Sequence, residues 1–141
     1  MNRDNLSKLA DYLLRLPTDY HDFDMGTFCK LPGTEREFGP GDAHPCGSVG
    51  CALGHGPRAG IHPGIGDDAW PDYCENQFGM RWFSDAAEWC FSGAWSMIDD
   101  TPHGAGLRIR WMLEGKPIPS THEFETTIYA GRLPEEFNYL A

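Results

Sequence analysis

The stretch Cys46-Gly-Ser-Val-Gly-Cys51-Ala-Leu-Gly-His55 brings two thiols and an imidazole together within ten residues. Ser48 is a suitable N-cap, so a short helix is predicted to begin after it. On such a helix Cys51 and His55 are four residues apart and lie on one face. Cys46 precedes the helix start, where unpaired N–H groups favour a thiolate. The stretch therefore predicts a cluster of soft ligands.

The segment around this stretch is rich in glycine and proline. Residues 26–66 carry 11 of the 17 glycines of the chain and five of its 11 prolines. This composition does not support long regular elements. A structureless connection of that length is unusual inside a compact domain. Either packing against the rest of the chain or a bound metal must therefore hold the segment.

Helical patterns flank the glycine-rich segment. Residues 5–16 place leucines on one stripe, which predicts an amphipathic helix that Pro17 ends. Residues 69–78 predict a short helix closed by a glycine at the next position. A further helix is predicted to begin at Ser84 or Asp85, because either residue can act as its N-cap.

The last clear helix has the fullest set of signals. Thr101 is the predicted N-cap, Pro102 takes the first helical position, and Gly115 stands just past the end. The predicted apolar positions of this helix are Leu107, Trp111 and Met112, with Ile109 and Leu113 widening the face. Residues 121–129 are compatible with a strand or with a short helical turn, and the pattern does not decide between them.

These patterns favour a mainly α fold. We expect a single small domain over residues 1–141 with four or five short helices. The segment 26–66 is expected to form irregular backbone pinned to the helices, with a minor β-hairpin as an option. A chain of 141 residues is long enough to bury a core, and its five Trp, eight Phe and five Tyr supply the buried area.

The charge balance bears on the class of partner. The chain has 11 basic and 21 acidic residues, and its net charge of −10 disfavours nonspecific nucleic-acid binding. A negative surface commonly serves solubility. The alternative is an acidic face that occupies a basic groove on another protein.

The sequence also predicts a cellular location. No apolar run approaches the length of a membrane span, and the first residues lead directly into an amphipathic pattern rather than a signal peptide. Five cysteines, an odd number, argue against a disulfide framework. We therefore expect a cytoplasmic protein with no membrane contact.

Zinc binding is the first chemical interpretation of the cysteine stretch. Cys46, Cys51 and His55, with Cys29 as a fourth ligand, match the thiolate and imidazole set of a structural zinc site. The four residues between the two cysteines permit such a site without being diagnostic. Two histidines of the same segment are substitutes for the fourth ligand, His44 and His62. The favoured alternative is a set of buried thiols without metal, with His55 capping the last carbonyls of its helix.

Cysteine catalysis is a weaker interpretation of the same residues. Cys46 would be the nucleophile, and His55 or His62 would be the base. The sequence identifies neither an oxyanion hole nor a carboxylate that orients the base. Enzymatic activity is therefore the less favoured expectation.

Ligand binding is a further interpretation of the later part of the chain. Arg108 and Arg110 bracket Ile109 and can clamp a phosphate or carboxylate, although a solvated face paired with local acids is commoner. The aromatic residues of the middle of the chain, among them Trp89, are dense enough to line a stacking pocket or to fill a core. The candidate ligand-binding residues are therefore Arg108, Arg110 and Trp89.

The order of these features is similar to that of a known family. The chain contains a leucine-rich helix (Asn5–Leu16), a Phe-Asp-Met…Phe-Cys segment (Phe23–Cys29), the block Cys46–His55, a Trp/Phe-rich middle, and a late helix that begins Thr101-Pro102. In this it resembles an uncharacterised family of small phage and bacterial proteins. The resemblance covers most of the chain, and the cysteine block is its most specific part. It implies a phage or mobile-element accessory protein that acts on a host or competing system.

Three functional classes follow from these observations. We expect a binding protein without catalytic activity that captures or inhibits a host or defence protein in the host cytoplasm, with its acidic surface setting the encounter. The first alternative is a receptor or sponge for a small, nucleotide-like ligand held by the aromatic cluster with Arg108 and Arg110. The second is an enzyme that uses Cys46, or a metal-bound water with His55.

Overall fold

The computed structural model describes residues 1–45 and 47–141, so Cys46 lies outside the described residues. Five α-helices occur in the described ranges: α1 (Arg3–Arg15), α2 (Trp70–Tyr73), α3 (Asp85–Phe91), α4 (Pro102–Leu113) and α5 (Thr121–Glu123). Single π-helical turns continue α2 and α5 over Cys74–Phe78 and Phe124–Ile128, and 3-10 turns cover Gly93–Met97 and Glu135–Phe137. The prediction of a mainly α fold with four or five short helices is confirmed.

The pairing of α1 with α4 forms one side of the core. Four residues of α1 are fully buried at the spacing expected of an amphipathic helix: Leu6, Leu9, Ala10 and Leu13. The two helices cross at Gly106, where an added Cβ would lie 2.7 Å from the Cγ of Leu14 and 3.1 Å from the carbonyl oxygen of Ala10. Only a residue without a side chain permits this approach.

The buried face of α4 differs from the predicted one. The expected centre of that face, Leu107 and Trp111, is only half-buried. The fully or nearly fully buried stripe is Ala105, Arg108, Ile109 and Met112, which are spaced i, i+3, i+4 and i+7. Ile109 and Met112 are buried as predicted, whereas Ala105 and Arg108 were missed because an arginine in the middle of the stripe makes this face look polar.

The helix signals read from the sequence agree with the structure. The Thr101 hydroxyl accepts from the backbone N–H of Gly104 at 3.0 Å, and the Ser84 hydroxyl accepts from that of Ala87 at 3.2 Å. The short helix predicted over 69–78 is α2 with its π-turn, and it ends at Gly79, whose φ is +67°. Residues 121–129, which the pattern left undecided, are helical and begin with a capping box at Ser120.

The glycine-rich segment contains no regular strand among its described residues. Extended pairing is limited to three isolated β-bridges, Phe23 with Gly50, Lys30 with Glu37 and Lys30 with Val49. Polar side chains from inside and outside the segment hydrogen-bond its carbonyl oxygens. The Trp70 indole donates to Phe38 at 3.0 Å, the Tyr73 hydroxyl to Ile61 at 2.6 Å, and Arg58 to Ser48 at 2.8 Å. Packing against the rest of the chain therefore holds the segment.

The stretch Cys51–His55 is a series of turns rather than the predicted helix. Ser48 is not its N-cap, because the Ser48 hydroxyl donates to the Pro45 carbonyl at 2.6 Å. At the start of the stretch the Cys51 N–H donates to the Thr27 carbonyl of a neighbouring segment at 2.8 Å. An added Cβ at Gly54 would lie 1.6 Å from the Phe28 carbonyl oxygen. Within the stretch the His55 N–H still donates to the Cys51 carbonyl at 3.0 Å, but the turns do not continue into a regular helix.

The buried apolar side chains of the helices and of the glycine-rich segment form one contiguous core. No helix in residues 1–45 and 47–141 is long and apolar enough to cross a bilayer.

Candidate functional site

Three of the four predicted metal ligands lie in the described part of the chain. Cys29, Cys51 and His55 are all buried, with exposed fractions of 1%, 1% and 0%. No group of three or more Cys, His, Asp or Glu side chains is arranged to hold a metal among the residues described. The predicted set needs Cys46, which is not described, so the zinc site stays a prediction.

His55 occupies a box of aromatic rings. The rings of Tyr12, Tyr20 and Phe23 lie 6.0, 5.8 and 5.7 Å from the imidazole, centroid to centroid. Its Nε2 is 2.9 Å from the Asp22 carbonyl oxygen, which requires that nitrogen to carry the proton. Burial, assisted by the nearby charge of Arg58, lowers the pKa of His55 to about 4. The imidazole is therefore neutral near pH 7, and its hydrogen bond connects the backbone of Asp22 to the cysteine stretch.

Burial disfavours the thiolate form of the two described cysteines of the predicted ligand set. Burial raises the pKa of Cys51 to about 12, and it also raises the pKa of Cys29. Only the thiolate form of a cysteine is a good nucleophile. The predicted nucleophile, Cys46, lies outside the described residues, so the catalytic alternative stays a prediction.

The structure does not bring the predicted ligand-binding residues together. Arg108 is fully buried and donates to Asp99 Oδ2 at 3.3 Å and to the Tyr139 hydroxyl at 3.0 Å. Its guanidinium carbon lies 4.2 Å from the centroid of the Trp95 ring. Arg110 is half exposed and pairs instead with Asp11 on α1 at 2.7 Å. The two guanidinium groups therefore face different surroundings and do not form a clamp.

Trp89 belongs to the core rather than to an open pocket. Its exposed fraction is 0%, and its indole N–H donates to the Arg108 carbonyl at 2.8 Å. The Trp89 carbonyl in turn accepts from the Trp95 indole at 2.8 Å. The same aromatic cluster therefore surrounds Arg108, and both residues hold the helices together.

A cavity of about 290 Å³ lies elsewhere, between the residues 25–28, the Trp82–Phe83 loop and α3. We call it the aromatic–acidic groove and define it by its aromatic and acidic lining residues: Phe28, Trp82, Phe83, Phe91, Tyr129, Glu37 and Glu88. Lysine and arginine are absent from its lining in the described part of the chain. The groove therefore combines an aromatic wall with a negative charge.

Phe83 gives the groove an unusual rim. Among the residues described, it is the one non-glycine residue with a positive φ, +66°. Its exposed fraction is 72%. For a bulky side chain this conformation is rare and costs about 1–3 kcal/mol, and such residues concentrate at binding sites. The Trp82 ring lies 6.0 Å from the Phe83 ring and 5.7 Å from the Phe28 ring. The three rings are therefore arranged in series along the groove.

Two polar atoms at the groove lack a hydrogen-bond partner among the described residues. They are Thr27 Oγ1 and Glu88 Oε2, and both are buried. Burial raises the pKa of Glu88, the Ser92 hydroxyl partly opposes this, and the charge of Glu125 adds to it. Buried polar atoms are normally hydrogen-bonded, so Thr27 and Glu88 bring unsatisfied hydrogen-bonding capacity to the groove that they line, while these two atoms themselves are closed to solvent.

The sequence carried a weak signal for this groove. Two aromatic residues, Trp82 and Phe83, stand next to each other immediately before the N-cap Ser84. Adjacent aromatics at a helix start cannot both point into the core, so one of them is expected at the surface. Nothing in the sequence placed Phe28 or Glu88 beside them.

The comparisons leave the function to be argued from this geometry. No protein-family model, curated protein or solved structure matches the chain.

The different roles of the two arginines predict different stabilities. Arg108→Ala leaves Asp99 without its buried partner, and we expect the free energy of unfolding to fall by about 3–5 kcal/mol. Arg110→Ala removes an exposed ion pair and should cost less than about 1 kcal/mol. Urea denaturation of both variants measures the difference. Equal, small losses would show that Arg108 is not a structural residue.

His55 predicts a pH dependence of stability. The unfolded chain binds a proton at His55 near its ordinary pKa of 6.5, whereas the folded chain does so only at about 4. Stability is therefore complete above pH 6.5 and falls as the pH decreases from about 6.5 to about 4, by up to about 3 kcal/mol. Urea denaturation across this pH range should show that the free energy of unfolding of His55→Gln falls less steeply with decreasing pH than that of the wild type. The exposed control His103→Gln should follow the wild type. Identical slopes for wild type and His55→Gln would contradict the neutral, buried imidazole.

Proposed function

We propose that this chain is a non-enzymatic binding protein that captures a segment of another protein in the aromatic–acidic groove. The observation that carries the proposal is Phe83, a large apolar side chain exposed at the groove in a costly backbone conformation. A fold retains such a conformation when the surrounding structure fixes it, and binding sites are where this occurs. Aromatic side chains also supply much of the affinity of protein interfaces.

Apolar burial and hydrogen bonding both contribute to the free energy of binding in the groove. Covering the Phe83 side chain with a partner contributes about 1.5–3 kcal/mol from burial of apolar area. A donor of the bound segment can hydrogen-bond the Glu88 carboxylate, since Glu88 lines the groove. The groove therefore favours a segment that is apolar at one position and donates hydrogen bonds at another.

Charge narrows the class of partner. The net charge of −10 and the acidic lining of the groove attract a basic segment and increase its association rate at low salt. A nucleotide-like ligand gains no support, because the charged lining residues are acidic. The resemblance to small phage and bacterial proteins supports a host or defence protein as the partner, met in the host cytoplasm.

Selection from a random-peptide library against the purified protein tests the proposal. Peptides that bind the groove should lose affinity by about tenfold or more with Trp82→Ala and with Phe83→Ala, since each variant removes an interface aromatic. They should also bind more weakly as salt increases. Ile65→Ala is the matched control, because Ile65 is fully exposed and does not line the groove. Selected peptides that are indifferent to both groove variants would refute capture at this site.

A further inference from the structure

We infer that the aromatic–acidic groove takes an arginine side chain of the captured segment, with the guanidinium stacked against Phe28 and Trp82 and hydrogen-bonded to Glu88. This inference rests on the proposed function, because it names the chemical group that the groove selects.

The aromatic wall is fixed in position. The Phe28 ring stacks on the Trp70 ring at 5.9 Å with an interplanar angle of 18°, and Trp70 is held by its hydrogen bond to the Phe38 carbonyl. The other neighbour of Phe28 is Trp82, at 5.7 Å and 48°. Two tilted rings, one of them braced from behind, form a surface on which a planar cation can lie. Such a contact is worth about 0.5–2 kcal/mol, depending on how far water is excluded.

The acceptors lie at the same cavity. Glu88 Oε2 is buried and has no donor in the described part of the chain, and Thr27 Oγ1 is in the same condition. Glu37 lines the groove with a second, exposed carboxylate, and Glu125 adds negative potential at Glu88. A guanidinium carries five N–H donors in one plane, so it can bond a carboxylate while its face stays on an aromatic ring. One group thus satisfies both the ring surface and the acceptors.

Other side chains fit the groove less well. A neutral apolar side chain leaves Glu88 and Thr27 unpaired, and an acidic side chain meets two carboxylates. A lysine ammonium is more strongly hydrated than a guanidinium and cannot stack as a plane.

The fold already uses the same arrangement in its interior. The Arg108 guanidinium carbon lies 4.2 Å from the Trp95 ring centroid while its Nη1 pairs with Asp99. A second arginine, Arg36, lies over the Phe38 ring at 5.2 Å. An aromatic face combined with a carboxylate is therefore an arrangement that this chain already provides for one guanidinium, that of Arg108.

Three short peptides test the inference on the intact protein. They are acetyl-Gly-Arg-Gly-amide, the lysine equivalent, and the citrulline equivalent, which has nearly the shape of arginine but no charge. We expect the arginine peptide to shift the Trp82 indole resonance in a saturable way, with a Kd of about 1–10 mM, and the citrulline peptide to bind at least about tenfold more weakly. The lysine peptide should lie between them. Equal affinity for the arginine and citrulline peptides, or no saturable shift up to about 50 mM arginine peptide, would overturn the inference.

The role of Glu88 is tested by a conservative variant. Glu88→Gln should weaken the arginine peptide about tenfold and leave the citrulline peptide unchanged, because only the charge is removed. Glu136→Gln, an exposed acid that does not line the groove, is the control and should change neither affinity. If both variants weaken the arginine peptide equally, the attraction is to the general negative charge and the assignment to Glu88 fails.

The failure of this inference can be separated from failure of the proposed function. A library-selected peptide that needs Trp82 but tolerates replacement of its arginines by citrulline overturns the arginine assignment and leaves capture at the groove in place. A selected peptide that ignores Trp82 refutes the proposed function itself.

Discussion

The close approach of Gly54 to the Phe28 carbonyl is the constraint on which the rest of the structure depends. A methyl group at Gly54 would lie 1.6 Å from that oxygen, and one at Gly50 would lie 2.4 Å from it. The approach lets the turns of residues 51–55 pack directly on residues 27–30, where Cys51 donates to Thr27 and Lys30 pairs with Val49 in both directions. The glycine-rich segment is thus held in one conformation by contacts between two parts of its own backbone.

The same contact braces the candidate site. Residues 25–28 form one wall of the aromatic–acidic groove, and residues 50–54 lie directly behind that wall. The Phe28 side chain leads into a chain of ring contacts, at 5.5 to 5.9 Å, that runs through Trp70, Tyr73 and Phe78 to Phe91. The groove is therefore attached to the core on both sides, so a binding partner meets a surface that is already ordered.

The sequence predicted the features that depend on local chemistry. Thr101 and Ser84 cap their helices as expected, because an N-cap needs only one suitable side chain at the right position. Arg108 was missed as a core residue because its burial depends on Asp99, Tyr139 and Trp95, which are brought to it by the fold rather than by spacing. The helix predicted for residues 51–55 failed for a similar reason. The Cys51 N–H donates to Thr27 of a neighbouring segment, and Gly54 packs against the Phe28 carbonyl, contacts that no periodicity reveals.

Only a weak signal for the groove is present in the sequence, the adjacent Trp82 and Phe83. Its lining comes from separate segments, among them residues 25–28, the Trp82–Phe83 loop and α3, which only the tertiary structure brings together. The positive φ of Phe83 is likewise a product of the tertiary structure, because a lone phenylalanine carries no preference for it. The sequence predicted the functional site at the cysteines, whereas the open groove lies at the aromatic residues Phe28, Trp82 and Phe83.

The central role of the Gly54 contact is tested most directly by comparing two alanine variants within the glycine-rich segment. Gly54→Ala forces a Cβ into the Phe28 carbonyl, whereas Gly41→Ala adds a Cβ where no atom lies within 4 Å and φ is not positive. Urea denaturation should show that Gly54→Ala loses at least about 2 kcal/mol of unfolding free energy, while Gly41→Ala changes it by less than about 1 kcal/mol. If Gly54→Ala is as stable as Gly41→Ala, the backbone contact does not hold the segment and the account is contradicted.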